Sequence, residues 1–192
     1  MDEGQGPVTM RGAATALKSL SGALDRVAMW GAVAALAVMV FSAGYQVVAR
    51  YIFDAPPVWT EELARRAMVW AGMLGATGAF HRYADPNLFP GLLTVGGVRG
   101  KVMAALRLAG VAVFAAPILF YSLFGPDFSL DRGFIGRTLV RKAEMMGVSM
   151  AWFTVAVPLA FLIIVVHALA QFSAALAGME TVPSDHMEDS PL

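Results

Sequence analysis

From Val27 to Ala49 the chain runs about 23 residues without a formal charge. A helix of that length, rising about 1.5 Å per residue, crosses the roughly 30 Å hydrocarbon core of a bilayer. Few features limit a fold so strongly, because backbone N–H and C=O groups in hydrocarbon must be satisfied within the structure itself. A secretory leader has an apolar stretch of about 7–15 residues with a small-residue cleavage site after it. This run is too long for a leader and no such site follows it, so it is expected to stay as a first transmembrane helix. Composition agrees: 58% of the 192 residues are hydrophobic and 15% are charged, against about 45–50% and about 25% in soluble domains.

A second apolar run, Ala67 to Phe80, is too short to span alone. It reaches the needed length only by borrowing from Trp59–Arg66, and Pro57 suits the first turn of a helix but not its interior. One helix is therefore expected from about 58 to 81, with its charged first two turns at the membrane surface. Asp85-Pro86-Asn87 and Gly96-Gly97 are turn signals, and Leu88 to Val95 is expected to skim the interface. A third span covers about 102–124, with Arg107 and Pro117 inside it, and a fourth about 147–170, with Pro158. The expected fold class is all-α: an integral membrane protein with four transmembrane helices, the second carrying an amphipathic charged N-terminal portion. Residues 1–26 are expected to form a loose tail and amphipathic lead-in, 27–177 the membrane domain, and 178–192 a disordered acidic tail, too polar to bury a core. Continuous rather than alternating apolar runs exclude a β-barrel.

Four spans place both tails on one side. Lys and Arg number six on the tail side and seven on the other, so the positive-inside rule does not orient the chain. The net charge is zero, which gives no basis for nucleic acid or acidic substrates. No Cys is present, so disulfides, thiol catalysis and Cys-ligated metal are excluded, while the redox compartment stays open. His81, His167 and His186 lack metal-ligand spacing.

The charged stretch between the first two spans holds Arg50, Asp54, Glu61, Glu62, Arg65 and Arg66. Glu61–Arg65 and Glu62–Arg66 are i,i+4 pairs with the acid nearer the helix start, the favourable orientation. Trp59 and Trp70 are about three turns apart and share a face with Glu62 and Arg66. One explanation is an interfacial helix start, with Trp in the aromatic belt and Arg at headgroups. The other is a docking surface for another membrane subunit, since self-cancelling charges make a poor lipid tether. Gly72, Gly75 and Gly78 would let a neighbouring helix approach closely, whether from this chain or from a partner.

Chemistry of its own is not apparent. A transporter core needs ionisable midplane groups or broken helices. Arg107 lies near a helix start and is expected to snorkel to headgroups, and His167 is expected at an interface without a partner inside a span. No metalloprotease, nucleophile-elbow or phosphate-loop motif occurs. The chain reads as a non-enzymatic subunit that supports or docks something else.

At this point Arg50-Tyr51-Ile52-Phe53, Trp59-Thr60-Glu61-Glu62-Leu63-Ala64-Arg65, Trp70 and Leu74-Gly75-Ala76 resemble the signature region of the small permease (Q, DctQ-like) subunit of TRAP, or tripartite ATP-independent periplasmic, transporters. Gly147, Met150, Trp152 and Pro158 resemble the opening of that family's fourth helix. Asp85-Pro86-Asn87-Leu88 departs from the His-Ile-type element many members carry there, which leaves the substrate open. The resemblance implies a large multi-span permease partner that carries the substrate and sodium sites. It also implies a periplasmic binding protein delivering an organic acid such as a C4-dicarboxylate, and a bacterial inner membrane location with both termini cytoplasmic. It implies no cofactor on this chain. A stand-alone four-helix channel or carrier, and a scaffold subunit of another membrane complex, are the alternatives.

Overall fold

The computed structural model describes residues 8–84 and 97–179. Six α-helices form among them: α1 (Val8–Tyr51), α2 (Trp59–His81), α3 (Gly97–Leu123), α4 (Phe134–Leu139), α5 (Ala151–Thr154) and α6 (Ala156–Leu176). Among the described residues there is no β-strand, and one isolated antiparallel bridge joins Lys142 and Ser149. The turn expected at 85–87, the interfacial segment 88–95 and the acidic tail from residue 180 lie outside the described residues.

The packing is that of helices dissolved in lipid. The buried apolar positions are mostly alanines, among them Ala28, Ala32, Ala67, Ala115, Ala156, Ala160 and Ala170. Large apolar side chains point outward: Trp30 is 75% exposed, Phe41 78% and Phe114 71%. Lipid tails give no hydrophobic drive between helices, so close contact of small residues does the joining and bulky groups face the solvent that suits them. A small cluster of Ala28, Ala32, Leu74 and Ile163, flanked by Leu24, Trp70 and Leu159, ties α1, α2 and α6 together. The most extensive helix contact is between α1 and α2, and α6 packs against α1, α2 and α3.

Three stretches are long and apolar enough to cross a membrane: Met10–Tyr51, Gly97–Leu123 and Ala151–Leu176. α2 is not among them, because the four charges of its first two turns dilute its apolar run.

The boundaries differ from expectation in three places. α1 is one helix from Val8, where a loose tail and lead-in had been expected to give way to a span at Val27. Its length is about 66 Å, twice the hydrocarbon thickness. Ala14, Ser21, Asp25, Ala28 and Ala32 are all buried, and their spacing of three, four or seven keeps them on one stripe. That stripe crosses the expected boundary unbroken, so the lead-in and the span pack as one helix. Secondly, Gly147 does not open the last span: its φ of 68° is left-handed, which no helix interior accepts. Its N–H instead closes a turn on the Ala143 carbonyl at 2.9 Å, and helix begins at Ala151. Thirdly, the loop after α3 folds a short helix of its own, α4, whose Thr138 hydroxyl meets that of Thr154 at 2.9 Å.

Pro158 marks the division between α5 and α6. It has no N–H to offer the Thr154 carbonyl four residues back, and the regular helix is interrupted at Val155.

Candidate functional site

The first turns of α2 present three residues at i, i+4 and i+8 to the segment that leads into α5. Glu62 accepts a hydrogen bond from the Met145 backbone N–H at 2.9 Å through one carboxylate oxygen. Its other oxygen meets the Arg66 guanidinium at 3.2 Å. The Met145 amide first, and then Arg66, favour the ionised carboxylate. The Arg66 guanidinium lies over the Phe153 ring, 5.4 Å from its centroid. Trp70 donates its indole N–H to the Trp152 carbonyl at 3.0 Å. One ridge of α2 is thereby fixed to residues 145–153, more than 80 positions away in sequence.

The two charge pairs have different roles. Glu62 keeps only 9% of its side-chain surface and Arg66 31%, whereas Glu61 and Arg65 keep 60% and 68% at a separation of 3.5 Å. The first pair is spent inside the chain. The second contributes at most a few tenths of a kcal/mol to the fold. Glu62→Ala is accordingly expected to lower the melting temperature of the extracted chain clearly, and Glu61→Ala to leave it unchanged. Equal melting curves for the two variants, read by tryptophan fluorescence, would remove Glu62 from its structural role.

The other residues marked in the sequence are placed as follows. Arg50, Tyr51 and Phe53 are exposed at and just beyond the end of α1. Trp59 turns away from the ridge and stacks on Tyr45 of α1, with ring centroids 6.2 Å apart. Trp152 is 72% exposed, and Pro158 is buried in the first turn of α6. The three glycines of α2 do not share a face. Gly78 is buried against α1, where an added Cβ would lie 2.5 Å from Met29 Sδ, while an added Cβ on Gly72 or Gly75 would meet nothing within 4 Å. Each step of three residues turns 60° short of a full revolution, so Gly72 and Gly78 point 120° apart.

Beside the ridge lies an open cleft of about 550 Å³, rimmed by Arg65, Arg141, Lys142 and Glu144 and also lined by Met68 and Met150. Arg141 and Lys142 are exposed, and the rim carries more positive than negative charge.

One sequence expectation is corrected at the opposite end of the helices, where Arg107 and His167 both lie. The Arg107 guanidinium stacks over the rings of Phe80 and Tyr83, 4.4 Å from each centroid, an arrangement that cation–π attraction favours. His167, expected to lack a partner inside a span, does have one. It is 0% exposed, its Nδ1 lies 2.7 Å from Ser21 Oγ, and its ring centroid is 4.7 Å from that of His81. The same hydroxyl lies 3.2 Å from His81 Nδ1. Asp25 and Arg82 pair at 2.8 Å alongside. Among the described residues, no group of three or more His, Cys, Asp or Glu side chains could hold a metal ion. Spacing along the chain gave no hint of the His81–His167 contact. The available signal was Asp25 and Ser21 on an otherwise apolar stripe of α1.

No curated protein matches the chain. Residues 36–178 match the family described as "Tripartite ATP-independent periplasmic transporters, DctQ component". That range covers most of the chain and includes both segments joined across the α2 ridge, so the all-helical, membrane-type fold and the match agree: the protein belongs to the DctQ family and is a TRAP-transporter component.

Proposed function

We propose that the chain is the small membrane subunit that widens and braces a large multi-span permease, in sodium-coupled uptake of an organic acid of the C4-dicarboxylate type. A periplasmic binding protein delivers that acid. The observation that carries this reading is the family match over residues 36–178. The chain catalyses no reaction and takes no cofactor; sodium binds the large permease. It sits in a bacterial inner membrane with both termini cytoplasmic.

In this reading α2 is the second of four spans. Its 23 residues reach about 35 Å, enough to cross a core of about 30 Å with its first turn at headgroup level. The α2 ridge and the cleft rimmed by Arg65, Arg141 and Lys142 then face the periplasm, where the delivered acid and its carrier arrive. Glu62 and Arg66 are engaged within the chain, so Glu61, Arg65, Arg141, Lys142 and Glu144 are the ridge and rim charges left to meet a partner. Rim charges act chiefly on association rate.

The test is uptake of a labelled organic acid into proteoliposomes holding the large permease and binding protein, with and without this chain. Uptake is expected only with it, and equal uptake without it would overturn the proposal. Reversing Arg141 and Lys142 together to Glu is expected to lower uptake several-fold at limiting binding protein, with complex yield unchanged. Unchanged uptake would remove the cleft from docking.

A further inference from the structure

Around the turn that ends α2, α1 and α6 bring buried polar atoms that no group among the described residues satisfies. Asp25 Oδ1, His167 Nε2 and Gln171 Oε1 are buried with no hydrogen-bond partner among the described residues. All three residues lie against the last turn of α2. Asp25 binds Arg82 through its other oxygen, and its Oδ1 would lie 3.3 Å from a Cβ added to Gly78. The His167 ring packs on that of His81. Gln171 donates its amide N–H to the Phe80 carbonyl at 3.4 Å. The orphaned atoms come from α1 and α6, and the last turn of α2 lies among them.

We propose that this pocket is an internal hydration site, in which one or two ordered water molecules bridge Asp25, His167 and Gln171. A buried polar atom left unsatisfied costs free energy, and buried waters commonly make about three hydrogen bonds to such atoms. The chemistry of the set selects the ligand. Asp25 Oδ1 and Gln171 Oε1 are acceptors only, so the ligand must donate, which rules out an anion. A metal cation would be repelled by Arg82 and Arg107, whose guanidinium groups lie at the same turn. Water is neutral and both donates and accepts.

The hydration also matches the tautomers. The Ser21 hydroxyl has one proton and faces two Nδ1 atoms. Donating to one and accepting from the other satisfies all three groups. The two rings then carry their protons on different nitrogens, and His167 Nε2 needs a partner in either case. The site joins three helices by hydrogen bonds that no pair of side chains completes. This inference stands on the chain alone, whatever it transports.

The test is nuclear magnetic resonance of the full chain in lipid nanodiscs with ¹⁵N-labelled histidine, assigned with His81→Gln and His186→Gln variants. Magnetisation transfer from water to the His167 ring is expected despite its complete burial, together with opposite tautomers for His81 and His167. It is expected to be unaffected when sodium replaces choline and to weaken several-fold in Gln171→Leu. Absence of transfer would show a dry pocket and overturn the proposal. A His167 signal that moves with sodium would overturn it in favour of a cation.

Discussion

His167→Ala is expected to destabilise the extracted chain by about 2–4 kcal/mol. The ring is completely buried and links α6 to α1 through Ser21 and to α2 through His81. Truncation opens a cavity among three helices that are already joined by small residues. In detergent or lipid the cost comes from lost dispersion contacts and a lost hydrogen bond rather than from water exclusion. Thermal unfolding followed by tryptophan fluorescence reads the effect. Trp30→Ala is the control: the side chain is 75% exposed and its removal is expected to change stability by less than about 0.5 kcal/mol. A His167→Ala melting curve that overlays the parent would show that the buried polar cluster does not hold the bundle.

Gly78→Leu is expected to cost about 1–3 kcal/mol through overpacking, and to separate α1 from α2 at the Asp25–Arg82 pair. Its Cβ would press on Met29 Sδ, Arg82 Nη1 and Asp25 Oδ1 together. Gly78→Ala is a milder case. The Met29 thioether can swing aside, and alanine gains about 1 kcal/mol of helix propensity over glycine, so the net change is expected near zero. Gly72→Leu separates the two uses of the glycine series. Gly72 is exposed and an added Cβ meets nothing in the chain. The variant is expected to leave the chain's own stability intact while lowering recovery of the large permease if that face meets it. Equal stability losses at positions 72 and 78 would contradict the placement of these glycines.

Much of this architecture was legible in sequence because hydrocarbon imposes strict lengths on uncharged runs. The first, third and fourth apolar runs all became helices long and apolar enough to cross. The helix from Pro57 to His81 emerged within a residue or two, since proline at its start and turn residues at its end are local signals. The two stretches marked by family resemblance, near Trp59–Trp70 and Gly147–Pro158, proved to touch, through Trp70 and Trp152 and through Arg66 and Phe153. Their contact was not legible, because the partners of Trp70 and Arg66 are a backbone carbonyl and a ring on α5, which a loop whose path depends on Gly147 brings into place. Nor was the inner role of Glu62, because its best partner is the Met145 amide, and every residue but proline carries an amide. His167 and His81 are far apart in sequence and meet only because α6 packs against α2. The continuity of α1 across residue 26 was legible in principle. The stripe Ala14, Ser21, Asp25, Ala28, Ala32 has helical spacing, but its polar members look like a boundary when hydropathy alone is followed.

The most direct measurement is mass spectrometry of what co-purifies with this chain, tagged at its C-terminus and extracted gently from native membranes. A large multi-span permease in near-stoichiometric amount is the expected result, and it would make the exposed face of α2 and the cationic cleft the places to map contacts. Recovery of the chain alone or as a homo-oligomer, with extraction controls intact, would contradict the subunit role and make flux through the isolated chain the question.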